Sequence, residues 1–162
     1  MENKIEEKEH LEVCLGTSSN GTSLIWDIKT GDIIATYYKN KTNQNSTCYS
    51  DYHIFSSQND KPAINIYNLR KEQPTFQCSL SEKLTCIQNS SDGNFLFAGS
   101  ENGLIYVWKI CTGQLIKIFS AHLKQVTALC LTQDSSILIS GGSDTLIHVW
   151  SVAEYFSKRN SF

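Results

Sequence analysis

His122, Ser140 and Asp144 are the residues of this 162-residue chain whose types and proximity suggest chemistry. A hydroxyl, an imidazole and a carboxylate make a nucleophile, a base and an orienting acid when they meet in space. The surroundings of Ser140 argue against that use. It lies in Ile139-Ser140-Gly141-Gly142, and the chain contains no G-x-S-x-G nucleophile elbow. Other chemistries find less. There is no G-x-x-x-x-G-K-[ST], and Gly99-Ser100-Glu101-Asn102-Gly103 reads as a hairpin turn with no helix after it to hold a phosphate. His10, His53, His122 and His148 are scattered without metal-ligand spacing, the six cysteines form no Cys-x-x-Cys, and no turn pairs two acidic residues. The expectation is a chain with no catalytic, metal or cofactor site.

The elements that would position these residues are short strands. From Ser120 to Val152 the chain alternates through Val126, Ala128 and Cys130, and turns at Gln133-Asp134-Ser135-Ser136. It then runs apolar through Ile137-Leu138-Ile139, turns at Gly141 to Thr145 and closes on Leu146-Ile147-His148-Val149-Trp150. Period-two alternation between Gly/Ser/Asp turns predicts an antiparallel meander. The unit repeats. Trp26, Tyr67, Trp108 and Trp150 stand 41, 41 and 42 residues apart, each preceded by a β-branched residue (Ile25, Ile66, Val107, Val149). Asn20, Asn102 and Asp144 lie six residues before three of these aromatics, and Thr30-Gly31 and Thr112-Gly113 follow two of them. Strands 32–37 and 114–119 then follow those turns.

Composition narrows the function classes. Fourteen Lys and Arg against 16 Asp and Glu give a net charge of −2, so no basic face is expected for nucleic acid. No apolar run approaches the roughly 18 residues of a membrane span. Residues 1–10 are charged, without the apolar core of a signal peptide, and read as a disordered lead; 157–162 read as a polar tail. Cys14, Cys86 and Cys130 fall in apolar strand patterns and are expected as reduced thiols acting as small hydrophobes.

A period of roughly 40–45 residues with four strands per unit resembles the WD-repeat β-propeller. The resemblance runs from about Leu11 to Val152, so residues 11–156 are expected to form one all-β, partial propeller centred on Trp26, Tyr67, Trp108 and Trp150. Unit one lacks room for a first strand. Unit two is the most degenerate, with Tyr67-Asn68 for Trp-Asp, a long loop at 39–45, and strands near 46–49, 53–55 and 64–67. Unit three has strands at 84–88, 95–98, 104–108 and 114–119. Unit four would take its outermost strand from Glu154-Tyr155-Phe156. About three and a half blades cannot close a ring expected to have seven, so the chain is expected to be a fragment or to be completed by another copy or chain.

The resemblance assigns His122, Ser140, Asp144 and Trp150 another role. In WD repeats these positions form a buried hydrogen-bonded tetrad. The Asp orients the imidazole, and the His N–H reaches onward through the hydroxyl to the indole N–H; Ser143 is the alternative hydroxyl. Units two and three lack the His and the Asp and are expected to rely on apolar packing. The blocks Ser23 to Gly31, Ile66 to Lys71, Ile105 to Trp108 with Thr112-Gly113, and Ile139 to Asp144 before Val149-Trp150 further resemble the N-terminal half of the rixosome WD-repeat subunits.

That likeness implies a non-catalytic scaffold for pre-rRNA processing and large ribosomal subunit maturation. It would sit in the nucleus (nucleolus and nucleoplasm, with cytoplasm the alternative). Its partners would be other subunits of a multi-protein complex and, indirectly, the pre-ribosomal particle, with no membrane or direct nucleic-acid site. The expected partner loops contain Lys39, Lys41, Asn59, Lys61 and Lys124. The alternative is a generic adaptor, such as a ubiquitin-ligase substrate receptor. Those often carry Arg after Trp-Asp-x, where units one and three have Lys29 and Cys111.

Overall fold

The computed structural model describes residues 13–17, 22–38, 44–50, 53–58, 63–68, 74–80 and 82–153. Among these residues, fourteen strands form four antiparallel sheets in chain order. The first contains β1 (Val13–Thr17), β2 (Thr22–Asp27) and β3 (Ile33–Tyr38). The second contains β4 (Gln44–Ser50), β5 (His53–Gln58), β6 (Ala63–Asn68) and β7 (Pro74–Ser79). The third contains β8 (Leu84–Asn89), β9 (Phe95–Ser100), β10 (Leu104–Lys109) and β11 (Gln114–Ser120). The fourth contains β12 (Val126–Leu131), β13 (Ile137–Gly142) and β14 (Ile147–Ser151). Every sheet is a simple meander, and the first strands β4, β8 and β12 lie side by side with β1 next to β4. The sheets are therefore four successive blades, with the first strand of each complete blade innermost.

The repeat is visible in the irregularities as well as the strands. A bulge falls just before or at the aromatic of blades one, two and three, between Ile25 and Trp26, Ile66 and Tyr67, and Val107 and Trp108. Such bulges add local twist at one point of a pair. Pro74 opens the outermost strand of blade two, a position that tolerates a residue without an N–H. Between the first two strands of blades three and four the turn chemistry is the same. Ser90 and Thr132 donate to Asp92 and Asp134 at 2.5 Å in each case, and their hydroxyls accept the N–H of Phe95 and Ile137.

Apolar contacts between blades supply the cohesion. Ile64 and Ile66 of blade two pack with Leu84, Ile87, Leu96 and Trp108 of blade three. Phe97, Ile105 and Val107 leave the other side of blade three to meet Val126, Leu138 and Trp150 of blade four. Each fully buried side chain of this size contributes about 1.5–3 kcal/mol, against about 1 kcal/mol for a turn hydrogen bond, so the interblade faces dominate. Asn65 is the exception within this interior. It is fully buried, and neither end of its amide has a hydrogen-bond partner in the structure.

Several expectations change here. The loop expected over 39–45 ends earlier, since Gln44 and Asn45 already belong to β4. Val152 and Ala153 turn helical, and the strand expected at Glu154 to Phe156 lies outside the described residues. Cys86 is half-buried as expected, with its Sγ 3.8 Å from the Val126 carbonyl, and burial pushes its thiol up. Cys14 and Cys130 are exposed instead. Their strand pattern is apolar because it suits an interblade face, and no described blade covers those two faces.

Candidate functional site

Blade four brings together all four residues singled out within it. His122 precedes β12, Ser140 lies on β13, Asp144 in the β13–β14 turn and Trp150 on β14. His122 Nδ1 lies 2.9 and 3.1 Å from the two Asp144 carboxylate oxygens, and Nε2 lies 2.8 Å from Ser140 Oγ. Trp150 Nε1–H donates to the same Oγ at 2.9 Å. His122 is 4% exposed and Ser140 fully buried.

The direction of the chain follows from which atoms can donate. The indole N–H can only donate, and the imidazole nitrogen facing a carboxylate must carry hydrogen. The arrangement that satisfies every atom runs from Trp150 to Ser140, from Ser140 to His122 Nε2, and from His122 Nδ1–H to Asp144. This reverses the expected His-to-hydroxyl step. Were Nε2 also protonated, two N–H groups would converge on one oxygen and the serine hydrogen would lose its acceptor.

Asp144 anchors the far end. Burial pushes its carboxyl up, but the Leu123 N–H, His122 and the Leu146 N–H together outweigh this and hold it below the usual carboxylate range. The geometry resembles an acid–base–nucleophile relay, yet Ser140 Oγ is sealed from solvent and already engaged by Trp150 and His122. No face of it is open to an electrophile. Among the described residues no cluster of three or more His, Cys, Asp or Glu could hold a metal, and no helix is long and apolar enough to cross a membrane.

The structure adds two residues that spacing did not reveal. His148 stacks edge-on against His122 at 4.9 Å between ring centroids and lies 5.4 Å from Trp150. Gly142 is the second. A Cβ there would stand 2.4 Å from His122 Nδ1 and 2.7 Å from Asp144 Oδ1, whereas at Gly141 the nearest atom would be 3.8 Å away. The sequence shows both glycines as turn residues, but only Gly142 makes room for the imidazole. Gly103 of blade three also cradles this site. Its carbonyl accepts the N–H of both Ala121 and His122 at 3.0 Å, and at φ +82 a Cβ would run into the His122 carbonyl.

The expected partner loops fare unequally. Lys39, Lys41, Asn59 and Lys61 lie outside the described residues. The Ala121 to Lys124 loop is half interior: Ala121 and His122 are buried, Lys124 is exposed, and Leu123 is 90% exposed. Ser143 is exposed, leaving Ser140 as the tetrad hydroxyl. Trp108 is buried and stacked on Tyr106 at 5.7 Å, and Trp26 is half-buried.

Four antiparallel blades laid side by side around their first strands define a β-propeller protein. The family described as "WD domain, G-beta repeat" matches residues 70–109 and 113–151. The chain belongs to the WD40-repeat family. It is related to pre-rRNA-processing proteins, being 36% identical over 65% of its length to pre-rRNA-processing protein crb3/ipi3 of Schizosaccharomyces pombe. It is also 31% identical over 75% of its length to WD repeat-containing protein 18 of Danio rerio. These matches cover 24% and 29% of the relatives, so the chain spans about a quarter of their length. Among solved structures, the computationally designed Ika4 protein superposes with a TM-score of 0.73 at 25% identity, over 86% of this chain and 85% of that one. The designed Ika8 protein gives 0.71 at 25% identity over 86% of this chain but 43% of its own.

Proposed function

We propose that the chain is part of a non-catalytic, protein-binding scaffold that serves pre-rRNA processing and large ribosomal subunit maturation in the nucleus. The observation that carries this reading is the similarity to pre-rRNA-processing proteins across most of the chain. In this reading the tetrad is architectural. Its Asp144 carboxylate holds the Leu123 N–H at 3.0 Å while the Leu123 side chain stands in solvent. A loop whose backbone is already fixed pays less ordering entropy on binding. Leu123 and Lys124 are therefore the described residues assigned to partner contact, with an apolar pocket and an acidic rim as the matching surface.

The test is affinity purification of the tagged chain from its own cells, with mass spectrometry of what co-purifies. Pre-ribosomal and rRNA-processing factors are expected, lost in a Leu123→Asp/Lys124→Glu variant that keeps its fold. Recovery of cullin-ligase components without ribosome-maturation factors would overturn the assignment in favour of a general adaptor. Imaging of the tagged protein should place it in the nucleolus and nucleoplasm.

A further inference from the structure

The turn between β9 and β10 carries a backbone bond whose lability comes from its packing against blade four. A Cβ on Gly103 would stand 2.0 Å from the His122 carbonyl oxygen, so only glycine fits beside the 121–124 loop. Asn102 precedes it, is exposed, and makes no side-chain hydrogen bond among the described residues. A glycine next in the chain leaves the asparagine side-chain carbon open to the following backbone nitrogen, because no Cβ stands in the way. Asp92–Gly93 is the comparable pair in the turn between β8 and β9, and it is guarded. Asp92 accepts the Ser90 hydroxyl at 2.5 Å, the Asn94 N–H at 3.0 Å and the Asn94 side-chain amide at 2.7 Å. These bonds, that of Ser90 foremost, hold its carboxyl below the usual carboxylate range, and a carboxylate resists attack by nitrogen. Gly93 N–H donates to the Ser90 carbonyl at 2.9 Å, whereas Gly103 N–H reaches that of Ser100 only at 3.3 Å.

We propose that Asn102–Gly103 is a site of spontaneous backbone modification, gated by the loop that the blade-four tetrad holds. The Gly103 nitrogen attacks the Asn102 side-chain carbonyl carbon and closes a succinimide ring. The bond to the amide nitrogen breaks, and ammonia leaves with the proton of the Gly103 N–H. Water then opens either ring carbonyl, giving aspartate or isoaspartate. Gly103 is buried, and its carbonyl accepts the Ala121 and His122 N–H groups at 3.0 Å, so ring closure requires this contact to open. Asp144 holds the same loop through the Leu123 N–H. The aspartyl product keeps the ordinary backbone and is the residue that blade four carries at the same place, Asp144. The isoaspartyl product routes the backbone through the side chain and lengthens it by one methylene. That displaces the Gly103 carbonyl from under the 121–124 loop, and the loss of ammonia makes the change one-way.

Peptide mapping by mass spectrometry of the full chain, held for several days near neutral pH, tests the proposal. The peptide containing Asn102 should gain about one dalton, NH2 having become OH, and split into aspartyl and isoaspartyl forms. In His122→Ala that gain should be roughly tenfold faster while Asp92–Gly93 isomerises no faster, which separates loosening of the loop from global unfolding. Hydrogen exchange at the Ala121 and His122 amides should be about tenfold faster in the isoaspartyl form than in Asn102→Asp, which has the same charge and an ordinary backbone. A parent chain that keeps its mass at this peptide overturns the proposal. An unchanged rate in His122→Ala, or an equal rise at Asp92–Gly93, overturns the gating. Unchanged exchange in the isoaspartyl form overturns the link to blade four.

Discussion

Blades three and four solve one packing problem with different chemistry. Under Trp150, blade four places His122, Ser140 and Asp144; at the corresponding points under Trp108, blade three places Leu80, Ala98 and Asn102. Leu80, Ala98 and Trp108 share one apolar cluster, so neither Leu80 nor Ala98 brings a polar side-chain group that needs a partner. The blade-four set is polar and fully paired. The difference teaches that the aromatic seat needs filling and polar satisfaction, not any one set of groups. The polar solution adds direction: it ties the loop before the blade to the turn that closes it. It is also fragile, because removing one member leaves the others buried and unpaired.

The largest break in this comparison should come from His122→Ala. Loss of the imidazole leaves Ser140 without its acceptor and opens a cavity beside His148, and it should cost about 2–4 kcal/mol in urea denaturation. Asn102→Ala, at the exposed blade-three turn position that corresponds to Asp144, should stay within about 0.5 kcal/mol. Gly142→Ala comes next, at about 1–3 kcal/mol of overpacking, whereas Gly141→Ala should be close to neutral in the same assay.

Converting blade four to the blade-three solution sharpens the comparison. His122→Leu, Ser140→Ala and Asp144→Asn together should restore stability to within about 1 kcal/mol of the parent, far less than His122→Ala alone costs. If the triple variant is as damaged as the single one, the polar set contributes more than a filled seat. Thr145 offers a gain. It and Ser135 hold φ values of 70 and 57, where blade three has Gly103 and Gly93 at 82 and 68. Thr145→Gly should stabilise by about 0.5–1 kcal/mol, read as a rise in the urea midpoint.

Acid gives the smallest and most selective effect. The Asp144 carboxyl is held below its ordinary value of 3.8 in the fold, so its contribution is complete above that pH and fades as pH falls through the folded value. Asp134, bonded by Thr132 and Ser136 in its turn, is held down to about 2, so its share is lost between about pH 4 and pH 2. The stability gap between the parent and the triple variant, which keeps Asp134 but not Asp144, should therefore narrow as pH drops from 5 toward 3 (roughly the carboxylate range).

Much of this was legible in the residues. Alternation and Gly/Asp turns placed the strands of blades three and four to within a few positions, because period two and turn chemistry are local properties. The tetrad was read through family resemblance: His, Ser and Asp by type alone suggest a catalytic relay, and the missing G-x-S-x-G elbow argued against it without showing what the three do instead. Gly142 and His148 were missed because their importance lies in a contact across the sheet that spacing does not encode. Leu123 lies inside the expected 121–124 loop, but the sequence could not single it out there, because an apolar loop residue looks like any other until its backbone is seen pinned and its side chain outside.

By itself the sequence determined a chain of four repeated meanders, the aromatic of each, and the polar character of blade four, since all of these follow from local periodicity and residue type. Only the tertiary structure decided which apolar faces are covered. Phe97 and Ile139 occupy the same place in their strands, but Phe97 is buried and Ile139 exposed. The strand pattern is the same in both; burial depends on whether another blade stands next to it, and that is a property of the assembled fold.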